Sequence, residues 1–101
     1  MAEKAFRPWA PTAPMGWNSW DCFGASVTEA EVKANADYLA NHLKQSGYEY
    51  VVVDIQWYEP HADSSVYHAF ADLAMDDRGR LVPAANRFPS AANGQGFGQI
   101  G

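Results

Sequence analysis

The feature that most constrains this chain is the apolar run Tyr50-Val-Val-Val-Asp54, set in a β-branched and aromatic stretch over residues 48–58 and preceded by a helical pattern that ends at Gly47. A run without polar alternation is the mark of a strand covered on both faces, as a central strand of a parallel sheet is. Parallel strands cannot be joined by a tight hairpin, so a crossover must precede it. That crossover is legible. Thr28-Glu-Ala-Glu31 has the spacing of a capping box, and Val32, Ala36, Leu39, Ala40 and Leu43 recur at helical intervals. Gly47 stands where a helix closes in a left-handed residue. Upstream, residues 14–18 read as a short strand ending in a polar turn. Strand, helix of about five turns and buried strand compose one βαβ unit, with the right-handed crossover that such units adopt.

The flanks carry little periodicity. Residues 1–13 form an extended, proline-rich lead-in. From residue 59 onward only turn chemistry is visible. Asp76-Asp77-Arg78-Gly79 reads as a turn rather than a calcium loop, because the alternating ligands and closing glutamate of such a loop are missing. Leu81 and Val82 can pair weakly with residues before Asp76, and the chain ends in a glycine-rich segment. A structureless stretch of this length is unusual in a compact domain, so the expectation is a chain that continues beyond it.

Composition excludes several classes. Of 101 residues, 48% are hydrophobic and 19% charged, which is globular rather than disordered usage. The net charge of −5 argues against a nucleic-acid partner or an anionic membrane surface. No apolar stretch approaches a membrane span. Nor does the N-terminus have the apolar core of a secretory signal, so the sequence as written reads as cytoplasmic, or as secreted if a leader has been removed. Cys22 is the single cysteine and reads as a small buried hydrophobe. With His42, His61 and His68 scattered, no zinc spacing exists.

Ligand chemistry in parallel α/β folds gathers at the C-terminal ends of the strands. Here those ends carry Trp17, Asn18, Ser19, Trp20 and Asp21 on one side and Asp54, Gln56 and Trp57 on the other. Aromatic plates beside carboxylates and amides suit a sugar, whose ring offers an apolar C–H face and a rim of hydroxyls. Any one of these tryptophans could equally be core packing. Asp54 is harder to assign to packing, since a carboxylate ending an apolar strand is costly to bury without a partner.

Met15-Gly-Trp-Asn-Ser-Trp20, then Gly47-Tyr-Glu-Tyr-Val-Val-Val-Asp54, Asp77-Arg-Gly-Arg-Leu81 and Asn86-Arg-Phe-Pro-Ser90 resemble, in order, the start of glycoside hydrolase family 27, the α-galactosidases and their relatives. The resemblance runs over residues 14–97. It implies a (β/α)8 barrel followed by a β-sandwich, and a barrel alone takes about 250 residues. Residues 14–101 would then be a partial barrel domain: the first βαβ unit and the following loop, with the catalytic half missing. The resemblance further implies that Trp20 packs against the sugar and that Asp54 binds sugar hydroxyls, with Ile55 and Trp57 completing the substrate-binding set. Retaining hydrolysis uses two carboxyl groups about 5–5.5 Å apart, and the family's two catalytic aspartates follow the fourth and sixth strands. No catalytic residue therefore falls within residues 1–101, and the chain alone should bind sugar weakly and hydrolyse nothing. The resemblance implies no metal or organic cofactor, since retaining hydrolysis of this type uses carboxyl groups alone.

The sequence departs from the family at one telling place. Typical members read Asp-Asp-Cys-Trp where this chain reads Asp54-Ile55-Gln56-Trp57. The second sugar-binding aspartate has become Ile55 and the half-cystine Gln56, so the family's disulfide to the first loop cannot form. An isoleucine removes an acceptor for the hydroxymethyl end of galactose and offers a hydrophobic wall. A hydroxyl left unpaired there costs on the order of 1–3 kcal/mol. β-L-Arabinopyranose lacks that hydroxymethyl, and the family includes β-L-arabinopyranosidases, so the sugar partner is an α-galactoside or a β-L-arabinopyranoside. The competing readings are a small non-catalytic carbohydrate-binding module on Trp17, Trp20 and Trp57, and an interaction domain with exposed aromatics. A module should melt cooperatively as a monomer, whereas two strands with open edges should aggregate or stay molten.

Overall fold

The computed structural model describes residues 4–101, and the first three residues of the lead-in lie outside the described part. Strand β1 spans Gly16–Asn18 and strand β2 spans Tyr50–Val52. They pair in parallel, with Gly16 opposite Tyr50, Trp17 opposite Val51 and Asn18 opposite Val52. Between them the chain forms helix α1, Ser19–Phe23, and helix α2, Glu29–Tyr38. The βαβ connection expected from the sequence is present.

Helix α2 begins where its chemistry says it should. Thr28 caps it in extended conformation, its hydroxyl accepting from the Glu31 N–H while a Glu31 carboxylate oxygen accepts from the Thr28 N–H at 2.9 Å. Both halves of the capping box are thus made, and two amides that a helix start leaves unpaired are satisfied. The helical path then changes pitch, through a π turn over Leu39–Leu43 and a 3-10 turn over Lys44–Ser46, before Gly47 closes it at φ 96°. Val32 and Leu39 are buried, but Ala40 faces solvent, so the inward stripe is narrower than the sequence spacing implies.

Four expectations are corrected. The strand read over residues 48–58 is ordered as sheet only at Tyr50–Val52, and it is not covered on both faces: Tyr50 is 54% and Val52 43% exposed, while Val51 packs inward. The physical reason is that β2 has a single neighbour, β1, so one edge and one face remain open. The polar turn expected after β1 is instead α1, capped by the Asn18 side chain, which accepts from the Trp20 N–H at 2.8 Å. Cys22 is exposed rather than buried, because Ser19 and Phe23, one turn apart, take the inward side of α1. The lead-in is not uniformly extended either, since Arg7–Trp9 forms a 3-10 turn.

The core is small. Val27, Val32, Phe88 and Ala91 form its buried centre, with Trp17, Phe23, Val53, Trp57 and Phe97 packed around it. Residues 59–101 carry no long element, as the sequence indicates. Pro89–Ala91 makes a 3-10 turn, and Met75 and Leu81 form the isolated antiparallel bridge anticipated across the Asp76 turn. That turn is held by the Asp76 carboxylate, which accepts from the Arg78 and Arg80 amides, and these hydrogen bonds hold it below the usual carboxylate range. The radius of gyration is 16.1 Å, where a compact domain of this length has about 13 Å. The architecture is therefore an open α/β unit, consistent with part of a parallel barrel. Removing the cap with Thr28→Ala should lower stability by about 1 kcal/mol, measured by urea unfolding of the full-length protein.

Candidate functional site

The two strands run parallel, so their C-terminal ends lie side by side, and the site is built there. After Asn18 the chain turns directly into α1, which places Trp20 one residue beyond the buried Ser19. After Val52 the chain leaves the sheet, and the Asp54 N–H donates to the Ser19 Oγ at 2.9 Å. This bond crosses 35 residues of sequence and joins the two strand ends at the positions where the candidate residues sit. Trp20, 41% exposed, and Ile55, 39% exposed, thereby flank a single junction.

Asp54 is partly buried. Its Oδ1 accepts from the Ile55 N–H at 2.8 Å, which fixes the carboxylate against its own backbone. An ionised carboxylate has about four acceptor positions, so the group keeps capacity for ligand hydroxyls. Ile55 presents apolar surface beside it, and the Ile55–Gln56 peptide is cis. Trp57 is placed differently from the other three. Its ring meets Phe97 edge-on at 5.5 Å and Tyr58 at 5.4 Å, so the indole is engaged at the margin of the core. The structure thus gathers Trp20, Asp54 and Ile55 at one junction and turns Trp57 toward packing.

The junction is held by buried polar groups, among them Gln56, which the sequence placed at the strand end among amides suited to a sugar and which the structure turns inward instead. Gln56 is fully buried, and its amide brackets the backbone of His68, donating to the carbonyl at 2.7 Å and accepting from the N–H at 3.1 Å. A side chain that satisfies both main-chain groups of one residue imitates a strand neighbour, and it ties the loop of residues 60–70 to the end of β2. The same loop reaches α1 at its other end. Gly24 has φ 56°, and a Cβ there would lie 2.3 Å from the Ser64 carbonyl oxygen, so only glycine admits the approach. Glu59, 1% exposed, accepts from the His61 N–H and lies 3.9 Å from His68 Nδ1.

Arg87 is the hub of this scaffold, at 8% exposure. Its Nη1 donates to the carbonyls of Gln56 and Glu59, and its Nη2 to those of Ala25 and Val27, all at 2.8 Å. Burial pushes the guanidinium below its ordinary value, while the charges of Glu59 and then Glu31 oppose the shift. A guanidinium starts so high that it stays charged throughout. The motif Asn86-Arg-Phe-Pro-Ser90 was visible in the sequence, but nothing in it announces four main-chain acceptors. Among the described residues no cluster of three or more His, Cys, Asp or Glu gathers as a metal site, and no helix is long and apolar enough to cross a membrane.

No family model matches the chain. It is 63% identical to a GH27 β-L-arabinopyranosidase from Geobacillus stearothermophilus, whose structure superposes with a TM-score of 0.90 over 98% of this chain and 23% of that one. A Bacillus halodurans C-125 protein provisionally named as an α-N-acetylgalactosaminidase is 66% identical, with a TM-score of 0.79 over 88% of this chain and 20% of that one. An α-galactosidase from Cyamopsis tetragonoloba is 38% identical over 80 residues, 78% of this chain and 16% of that protein. The chain thus spans less than a quarter of the length of the relatives it matches.

The bond between the strand ends makes a direct prediction. Ser19→Ala strips the acceptor from the Asp54 N–H in a fully buried position. Stability of the full-length protein should fall by about 1–3 kcal/mol in urea unfolding. An unchanged midpoint would mean that the strand ends are held elsewhere.

Proposed function

This chain belongs to glycoside hydrolase family 27, and on that premise we propose that its strand ends form the sugar-binding side of a retaining glycosidase barrel that prefers terminal β-L-arabinopyranosides to α-D-galactosides. The observation that carries the proposal is Ile55, an exposed apolar side chain set immediately beside the Asp54 carboxylate at the end of β2. Trp20 supplies the plate against which a pyranose stacks, and Asp54 accepts from its hydroxyls. Where a galactoside would direct its hydroxymethyl group, Ile55 offers no acceptor. An arabinopyranose has only a ring methylene at that place, so the wall costs it nothing and excludes water. The likeness to an arabinopyranosidase supports the same choice.

Residues 14–101 would be the opening part of the barrel and residues 1–13 a lead-in to it. The exposed edge of β2 and the large radius of gyration support a partial barrel over a self-contained binding module. In the full-length protein the nucleophile and the acid/base are aspartates on later strands. The nucleophile attacks the anomeric carbon while the acid/base protonates the leaving oxygen, and water then releases the sugar with its configuration retained. Asp54 binds hydroxyls without entering the covalent steps. Trp57, half-buried and packed against Phe97 and Tyr58, supports the site from the margin of the core rather than as a second stacking plate.

Introducing the missing acceptor tests the reading. In the full-length protein, Ile55→Asp should shift the ratio of kcat/KM for an aryl α-D-galactoside over an aryl β-L-arabinopyranoside upward by about tenfold or more, the equivalent of one hydrogen bond to a charged group. An unchanged ratio would remove Ile55 from the account of specificity.

A further inference from the structure

Arg87 touches none of the residues that would face a sugar, yet it binds both segments that carry them. Residues 25–27 follow directly on α1, whose first turn bears Trp20, and residues 56–59 follow directly on Asp54 and Ile55. The guanidinium takes two carbonyls from each segment, all four at 2.8 Å. We infer that Arg87 is a positioning residue that sets the separation of Trp20 from Asp54 and Ile55, and with it the width of the sugar site. The inference rests on the glycosidase reading above.

Three features make the clasp a determinant of geometry rather than one attachment among many. The guanidinium is planar with donors at fixed angles, so acceptors from two loops are held in one frame. The side chain is almost wholly enclosed, so water cannot replace a lost bond without entering the core margin. The base of the clasp is itself fixed. The Arg87 carbonyl accepts from the Glu29 N–H at 2.9 Å in the first turn of α2, Phe88 is fully buried, and Ser90 donates through its amide and its hydroxyl to the Glu29 carboxylate. Helix α2 therefore serves as the anvil on which the two loops are gauged. Lysine cannot substitute. Its three donors radiate from one atom and cannot reach four carbonyls of two loops in a plane.

The test compares Arg87→Lys and Arg87→Gly with the unaltered full-length protein on an aryl β-L-arabinopyranoside, well below each variant's unfolding temperature, with and without added guanidinium ion. A 1 Å misplacement can cost about 100-fold, and a rise in KM of about tenfold or more is expected for both variants. Guanidinium should bring the KM of Arg87→Gly back toward that of the unaltered protein and leave Arg87→Lys as it was. An arginine that serves the fold alone would reduce the amount of active enzyme, hence the apparent kcat, and leave KM in place. Folded variants whose KM stays within twofold overturn the inference, as do variants that unfold and regain nothing with guanidinium. If the unaltered protein turns over neither this glycoside nor an α-D-galactoside, the glycosidase reading falls and takes the inference with it, a result seen before any substitution is made.

Discussion

The buried guanidinium of Arg87 is the interaction on which the rest of the arrangement depends. A charge enclosed to this degree is tolerable only when most of its donors are met, and here both Nη groups are met by four main-chain carbonyls from segments 28 to 62 residues away in sequence, while the buried Nε has no partner among the described residues. The chain has few other long-range ties of comparable strength. Its sheet has two strands of three residues, and its core centres on Val27, Val32, Phe88 and Ala91. The Ser19 bond and the Gln56 bracket add to it, as do main-chain bonds from Ala84 to the Trp57 carbonyl and from Ala74 to the Tyr58 carbonyl, but none of these ties the segment after Trp20 and the segment after Ile55 to one side chain.

The open parts of the fold have the same origin as its function. A parallel strand ordinarily has helices over its faces and neighbours at its edges, and β2 has only β1. Exposed Tyr50 and Val52, together with an apolar groove lined by Val32, Ala36, Val51, Val53, Phe97 and Ile100, are surfaces of the kind that further strands and helices of a barrel would cover. The site residues sit at the opposite kind of boundary, where strands end and loops begin. There a polar residue is no burden to the core, and Asp54 can remain available to a ligand.

Much of this was legible in the sequence where identity and local geometry coincide. Thr28 and Glu31 announced a capping box and made one; Gly47 announced a left-handed closure and adopted it. The parallel pairing followed from an apolar run behind a helix. What was not legible depends on partners that have no residue identity of their own. The acceptors of Arg87 are carbonyls, which every residue possesses, so no pattern of letters marks them. Gln56 likewise pairs with main-chain groups rather than a side chain, so the sequence, which set its amide among groups suited to a sugar, did not show that it would be buried against His68. The full burial expected of β2 failed for a related reason, since the run is written for neighbours that the described residues do not supply. Helix α1 escaped notice because five residues are too few to show a period, although Asn18 ahead of Asp21 is a fair capping signal.

The central claim is that an apolar side chain beside a hydroxyl-binding carboxylate selects a pentopyranose over its hydroxymethylated counterpart. The most direct test is the relative kcat/KM of the unaltered full-length protein on 4-nitrophenyl β-L-arabinopyranoside and 4-nitrophenyl α-D-galactopyranoside. The account predicts the higher value for the arabinopyranoside. A value equal or greater for the galactoside would contradict it, because the hydroxymethyl group would then be finding an acceptor that Ile55 cannot provide.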